Sequence, residues 1–422
     1  MCNLKFCLIM MNNKLKLISV FVFLMMNCLA HGQVKELKTW LKIPRAERPD
    51  ISTQKFSNES LSKKEAKLAG LLLLADKQSE IVHKYDAQWE NRELVYSGHT
   101  MPFYYTIFND KPKDGRSLFI SLHGGGSTSS AVNDGQYKNQ KHLYDKTMNK
   151  LEGVYLAMRA PTDAWNMWHK EYIDDFINII IQMAVIKEGV NPNKVYILGY
   201  SAGGDGVYQL APRMADRFAA ASMMAGHPGD SKPNNLYNLP FALHVGANDG
   251  AYNRNKLAGE WKLILDSLEL ANPGHYQHQV EIHVGYSHWM KLQDAVALPW
   301  MAKFTRNPLP KKIIWRQDDR YHEQFYWLAS QNSDARVGQQ IIAEYNKKEN
   351  AINIIETYTD SLQILLNDTM LNLNKPVTFI YKGKPIYTDK IKRTILNIYD
   401  SLNNRVDPNY IFPVKVELKI NL

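Results

Sequence analysis

Apolar and polar positions divide the chain into distinct textures. Lys14 and Lys16 precede a run over 17–26 that is apolar apart from Ser19 and gives way to Ala30-His31-Gly32. Residues 35–49 are polar and read as irregular. From Ser62 the pattern becomes helical. Leu68, Leu71, Leu72, Ala75, Ile81, Val82 and Tyr85 recur at spacings of a helix face as far as about Trp89. Ser62-Lys63-Lys64-Glu65 is a capping box that starts this helix, which is expected to pack on the outside of the main domain.

Short β-type runs then alternate with helical stretches. Residues 92–97 and 101–108 predict a hairpin across Gly98-His99-Thr100. Strands are expected over 117–122, 153–158, 194–199, 218–224, 240–245 and 279–284. Helices are expected over 172–188, from Asp205 onward, near 256–269 and near 290–304. Such alternation predicts an α/β fold, a mostly parallel sheet with helices on both faces. In that architecture functional loops lie at the carboxyl ends of the strands.

Around Asn307-Pro308-Leu309-Pro310 the texture shifts again. Short β-type runs at 313–315, 325–328, 337–345, 351–358, 362–366, 376–381 and 412–420 are broken by one helix over 390–403. They predict a smaller, mostly-β C-terminal domain, a sandwich in outline. The expected organisation is a signal peptide (1–32), an N-terminal helical segment (33–91), an α/β catalytic domain (92–308) and a mostly-β accessory domain (311–422). A length of 422 residues accommodates this division.

A basic start, about ten apolar residues and small residues at the exit make the leader a secretory signal peptide. The apolar run is shorter than the roughly 20 residues of a membrane-spanning helix. Met11 is an alternative start, and Cys28 raises a lipoprotein signal, although Met25-Met26-Asn27 lacks the small residues such a site prefers. Cys2, Cys7 and Cys28 all fall in the leader, so disulfides, thiolate nucleophiles and cysteine metal sites are unavailable to the rest. The leader also holds Lys5, Lys14 and Lys16 and no acid, so the formal net charge of +9 drops to about +6 beyond it. That charge is dispersed, with no dense basic run interleaved with aromatics, and nucleic acid is not an expected partner.

The candidate chemistry lies at the predicted strand ends. The strand at 194–199 runs into Gly199-Tyr200-Ser201-Ala202-Gly203 and then a helix. Strand, sharp turn and helix is the setting in which Gly-x-Ser-x-Gly becomes a nucleophile elbow. The strand ending at Val245 is followed by Gly246-Ala247-Asn248-Asp249, which offers an orienting acid. The last strand is followed by Gly285-Tyr286-Ser287-His288, which offers a base. Asp205, Asp230 and Asp266 are rival acids, and His283 and His227 are rival bases. His123-Gly124-Gly125-Gly126 follows a buried strand, where an amide of Gly124 or Gly125 could join that of Ala202 as an oxyanion hole. Trp165 and Trp168 lie in an irregular loop where they could wall a substrate group or close the core. Tyr200 and His227 are further candidates for substrate contact, with packing the competing role for Tyr200 and Trp289. No zinc-type, dinucleotide-binding or paired-carboxylate motif stands out, and acyl transfer by an activated serine needs no cofactor.

Leu122-His123-Gly124-Gly125-Gly126, Gly199-Tyr200-Ser201-Ala202-Gly203-Gly204, Asp249 and His288 together resemble the α/β-hydrolase superfamily. The resemblance covers roughly 94–307 and is nearest to secreted bacterial esterases similar to polyhydroxybutyrate depolymerases, phospholipase/carboxylesterases and feruloyl esterases. It implies Ser201 as nucleophile, His288 as base and Asp249 as orienter, with a small-molecule or polymeric ester as substrate. Residues 215–220 are similar to the continuation after the elbow in that branch and in prolyl-oligopeptidase-like enzymes. A serine peptidase of that type is therefore the alternative. A second alternative is a polysaccharide-binding protein acting through the C-terminal domain. The expected location is secreted or periplasmic, with no integral membrane span.

Overall fold

A computed structural model describes residues 32–331, 335–403 and 405–421. The signal-peptide reading and the three cysteines lie outside the described residues. No described helix is long and apolar enough to cross a membrane.

Eight strands form the main sheet: β1 (Glu93–Tyr96), β2 (His99–Phe108), β3 (Arg116–Leu122), β4 (Gly153–Met158), β5 (Val190–Tyr200), β6 (Ala220–Met224), β7 (Phe241–Gly246) and β8 (His278–His283). Their order is β1-β2-β4-β3-β5-β6-β7-β8. The β1–β2 and β2–β4 pairs are antiparallel and the other pairs are parallel. The β1–β2 turn is Ser97-Gly98, tighter than the three residues expected, and both adopt positive φ. The α/β class and the mostly parallel sheet are as the alternation predicts.

The helices are α1 (Gly32–Leu41), α2 (Lys63–Glu90), α3 (Ser130–Gln140), α4 (Asp145–Met148), α5 (Tyr172–Lys187), α6 (Ala202–Arg213), α7 (Arg254–Ala271), α8 (Ala297–Met301) and α9 (Ile395–Asn403). Both faces of the sheet are covered. Leu118, Ile120 and Leu122 of β3 pack with Ile177 and Ile180 of α5, Leu210 of α6 and Trp261 of α7. Phe119 points the other way and joins Tyr155, Tyr196, Met148, Leu298 and Met301. Alternation along a strand is what splits the two cores.

Two elements differ from expectation. The stretch read as irregular at 35–49 begins inside α1, whose Val34, Leu37 and Trp40 are buried at helical spacing. Helix α2 does not lie on the outside. Its capping box forms, with Ser62 Oγ accepting from Glu65 N and Glu65 Oε2 from Ser62 N. Ala69, Leu73, Tyr85 and Trp89 are buried, and it packs against α5, β1 and α9. Its apolar positions cover more than one side, so both the main domain and the C-terminal helix α9 can pack on it.

The C-terminal region has a four-stranded sheet and a five-stranded sheet. Their strands are β9 (Lys312–Arg316), β10 (Gln324–Phe325), β11 (Leu328–Ala329), β12 (Gln340–Asn346), β13 (Ala351–Glu356), β14 (Ser361–Leu366), β15 (Val377–Tyr381), β16 (Lys384–Asp389) and β17 (Val414–Lys419), in the orders β10-β11-β14-β17 and β16-β15-β13-β12-β9. The seam with the main sheet is ionic and buried. Arg213, the last residue of α6, meets Asp174 at 2.8 Å, and both side chains are about 1% exposed. Arg320 Nη1 and His322 Nε2 each lie 3.2 Å from the same Asp174 carboxylate. Asp216 pairs with Arg405, and Arg306 pairs with Asp407 while donating to the Asp216 carbonyl.

Candidate active site

Ser201 sits between the end of β5 and the start of α6 with φ 57° and ψ −121°. A non-glycine residue at positive φ is strained, and such strain concentrates at functional turns. The surrounding packing requires the flanking glycines. A Cβ on Gly199 would lie 2.2 Å from the Gly203 carbonyl oxygen, and one on Gly203 would lie 2.2 Å from that of Leu122. The turn is pinned by Ser201 N donating to Met224 O at 2.9 Å and Asp205 N to Ser201 O at 2.9 Å.

Three side chains from three strand ends meet there. His288 Nε2 is 2.9 Å from Ser201 Oγ, and His288 Nδ1 is 2.8 Å from Asp249 Oδ2. With a carboxylate at Nδ1, that nitrogen carries the proton, which leaves Nε2 as the acceptor for the serine hydroxyl. Asp249 is buried, whereas the His288 side chain is 42% exposed. The second carboxylate oxygen of Asp249 is buried without a hydrogen bond, and Arg254 Nη1 lies 3.7 Å away. Asn255 braces the acid's loop, donating from its backbone to Asp249 O and from its side chain to Ala247 O.

The glycine run is held by side chains that sequence reading passed over. His123 is fully buried, and its Nε2 accepts from Ala160 N at 3.1 Å. Its Nδ1 therefore carries the hydrogen and donates to Gly124 O at 2.6 Å. Burial pushes the imidazole down to about 4, so it stays neutral in this role. The C=O and N–H of one trans peptide point in opposite directions. Tying back the Gly124 oxygen thus turns the Gly125 N–H the other way. Gly124 itself packs against Ser201, since a Cβ there would be 3.1 Å from Ser201 Cβ. Gly126 N donates to the buried Asn133 Oδ1 at 2.9 Å. A lone histidine before a glycine run is the signal that could have suggested the first of these anchors.

The substrate-contact candidates fare differently from one another. Trp168 is a core residue, not a pocket wall. It has no exposed surface, its Nε1 donates to His123 O at 2.9 Å, and a Cβ on Gly206 would lie 2.5 Å from its own Cβ. Trp165 is 65% exposed and stands edge-on to His169, outside the walls of the cleft over Ser201. His227 is a loop brace that donates from its backbone to Asp205 Oδ1 and accepts from Gly229 N at Nδ1. Asp205 is thereby occupied, Asp230 accepts from Gln209, and Asp266 bridges Lys262 and His278. Tyr200 lines the cleft with its ring, but its hydroxyl is committed. It donates to His288 O at 2.6 Å and accepts from Met290 N at 3.0 Å, and its ring lies edge-on to His288. Burial pushes this phenol well up, so it remains a donor.

The cleft has a volume of about 870 Å³. One wall is Tyr200, His288 and Trp289, and the other is the C-terminal half of α3 and the residues after it. Helix α3 escaped sequence reading because it has few apolar positions; Val132 is exposed, and two of its three buried positions, Asn133 and Gln140, are polar. The arrangement can take a proton from Ser201 and hold a reacting carbonyl between the Gly124–Gly125 peptide and the start of α6.

No protein-family profile matches the chain. A putative esterase, NocK, from Nocardia uniformis subsp. tsuyamanensis is 27% identical over 156 residues, which is 35% of this chain and 45% of that protein. The chain thus matches less than half the length of this curated relative. Among solved structures, a thermostable esterase is 17% identical, covers 51% of this chain and 64% of its own, and has a TM-score of 0.41. An acetyl xylan esterase from Aspergillus awamori is 12% identical, with 48% and 93% covered and a TM-score of 0.35. With its mostly parallel sheet, its strand–serine–helix turn and its chain order of serine, aspartate and histidine, the chain has the architecture of an α/β-hydrolase.

Proposed function

We propose that the chain is a serine hydrolase of carboxylic esters. The observation that carries this reading is the unbroken line from Asp249 Oδ2 through both nitrogens of His288 to Ser201 Oγ, at the floor of an open cleft. Ser201 attacks the ester carbonyl while His288 takes its proton. Asp249 holds the imidazole tautomer and offsets the charge on the resulting imidazolium. The negative oxygen of the tetrahedral intermediate accepts from the Gly125 and Ala202 amides, with Gly124 shaping the loop behind them. His288 returns the proton to the departing alcohol, leaving an acyl-Ser201 ester. Water then attacks with the roles reversed. The positively charged, apolar start of the sequence supports export, to the periplasm or beyond.

The test is hydrolysis of p-nitrophenyl acetate beside a peptide anilide, for the intact chain and Ser201→Ala. Ester turnover should exceed anilide turnover, and the substitution should lower kcat by about 10⁴-fold or more. A variant that retains full turnover sinks the reading, and faster cleavage of the anilide transfers it to a peptidase.

A further inference from the structure

The walls of the Ser201 cleft are unequally charged. Gln136 and Asn139 line it with exposed amide side chains, whereas Gln140 is buried and its amide donates to Ser121 Oγ. Among the described residues lining it there is no carboxylate, and the one fixed charge is the ammonium of Lys138. His142 also borders the cleft, but its Nδ1 lies 3.0 Å from Asp145 Oδ2, so a carboxylate already offsets any charge it takes up. Lys138 is exposed and makes no ion pair among the described residues.

A lysine in the last turn of α3 has a plain structural explanation, because a cation there offsets the helix dipole. Lys141 already stands at that end, however, with its ammonium 4.5 Å from the Tyr137 ring centroid and 5.2 Å from that of Tyr104. Lys141 spends its charge on rings, while Lys138 borders the same space as the nucleophile. A cation at the border of the cleft, with the amides of Gln136 and Asn139 beside it, suits an oxyanion, since charge-assisted hydrogen bonds are stronger than neutral ones.

We propose that this cleft selects esters bearing a second, anionic oxygen group, such as a carboxylate, met by Lys138 with Gln136 and Asn139 alongside. The inference rests on the ester-hydrolase reading, and Lys138 acts on binding without joining the bond-making steps. The anion can enter on the acyl part or on the alcohol part of the substrate.

Two substrate pairs separate these sources. In the acyl arm, p-nitrophenyl hemisuccinate is compared with p-nitrophenyl butyrate. In the alcohol arm, 4-acetoxybenzoate is compared with 4-acetoxybenzamide. One arm should show a preference for the anionic member. Lys138→Met should cut that anionic-to-neutral ratio of kcat/KM about tenfold, mainly through KM, and Lys138→Arg should retain most of it. About 0.5 M salt should shrink the preference as well. A ratio unmoved by Lys138→Met in both arms overturns the proposal, and a lowered melting temperature in the same variant would then assign Lys138 to the helix end. Continued hydrolysis of the neutral esters would leave the hydrolase reading standing. No turnover of any of the four esters by the intact chain removes both.

Discussion

Helix α6 ends in two polar settings built on opposite terms. At its N-terminus, Asp249, His288 and Ser201 form a line that is buried at one end and open to a cleft at the other. At its C-terminus, Arg213 and Asp174 are sealed from solvent, and Asp174 also faces Arg320 and His322. Asp216, just beyond the helix, pairs its carboxylate with Arg405, while Arg306 donates to its backbone carbonyl. The carboxylates of the seam face arginines, Arg213 and Arg320 at Asp174 and Arg405 at Asp216. The carboxylate of the cleft has one imidazole, which can pass a proton onward, and an arginine held back at 3.7 Å. Buried carboxylates held by arginines fasten two parts of a chain, whereas one held by an imidazole is available to steer a proton.

Neutralising one carboxylate at each end would break this comparison most directly. Asp249→Asn should lower kcat about 10⁴-fold through the wrong histidine tautomer while the urea unfolding midpoint stays near that of the parent chain. A variant that instead unfolds would make Asp249 a structural acid. Asp216→Ala should do the reverse. It leaves Arg405 buried without its partner, at a cost of about 3–5 kcal/mol in urea unfolding, while the fraction still folded turns over ester normally.

A smaller effect sharpens the comparison within the cleft end. Tyr200→Phe removes the hydroxyl that ties down the His288 carbonyl and the Met290 amide, leaving both without that partner. Kcat should fall about tenfold with KM little changed, consistent with the roughly 1–3 kcal/mol carried by an unsatisfied buried group. A rise in KM alone would return Tyr200 to substrate contact.

The smallest effect is in pH. Burial alone would raise the Asp174 and Asp216 carboxyls, but Arg213 beside the first and Arg405 beside the second hold both below the ordinary value. A carboxyl depressed in the folded state contributes stability in full above its unfolded value and loses it as pH falls through the folded one. The chain should therefore weaken below about pH 4. Urea midpoints between pH 6 and pH 3 would measure this, and Asp216→Asn should make the decline shallower. An unchanged slope would mean the seam is not what acid attacks.

Legibility in the sequence divides along a physical line. The serine turn, Asp249 and His288 were legible because each is a short-range pattern: a residue type at the end of an apolar β-type run. The six parallel-type strands and α2 were legible through periodicity. The seam was not, because Asp216 and Arg405 are joined only by folding, and a lone aspartate or arginine carries no mark of a distant partner. Trp165 and Trp168 look alike in one loop, yet tertiary packing exposes one and buries the other. Helix α3 was hidden by its polar composition, although it forms a wall of the cleft. Helix α1 was hidden by its shortness, with buried positions only at Val34, Leu37 and Trp40.

The crowding around the serine turn bears on how a complete substitution survey would look. Gly199 and Gly203 abut backbone, and Gly206 abuts Trp168, each with too little space for one extra carbon. Scored by turnover, such a survey would rank these three glycines with Ser201, His288 and Asp249 as intolerant. Scored by soluble yield, the two sets should part, with the glycines lost and the three polar residues spared. The apparent catalytic centre in the first map would be about twice its chemical size, enlarged by positions whose only task is to leave room.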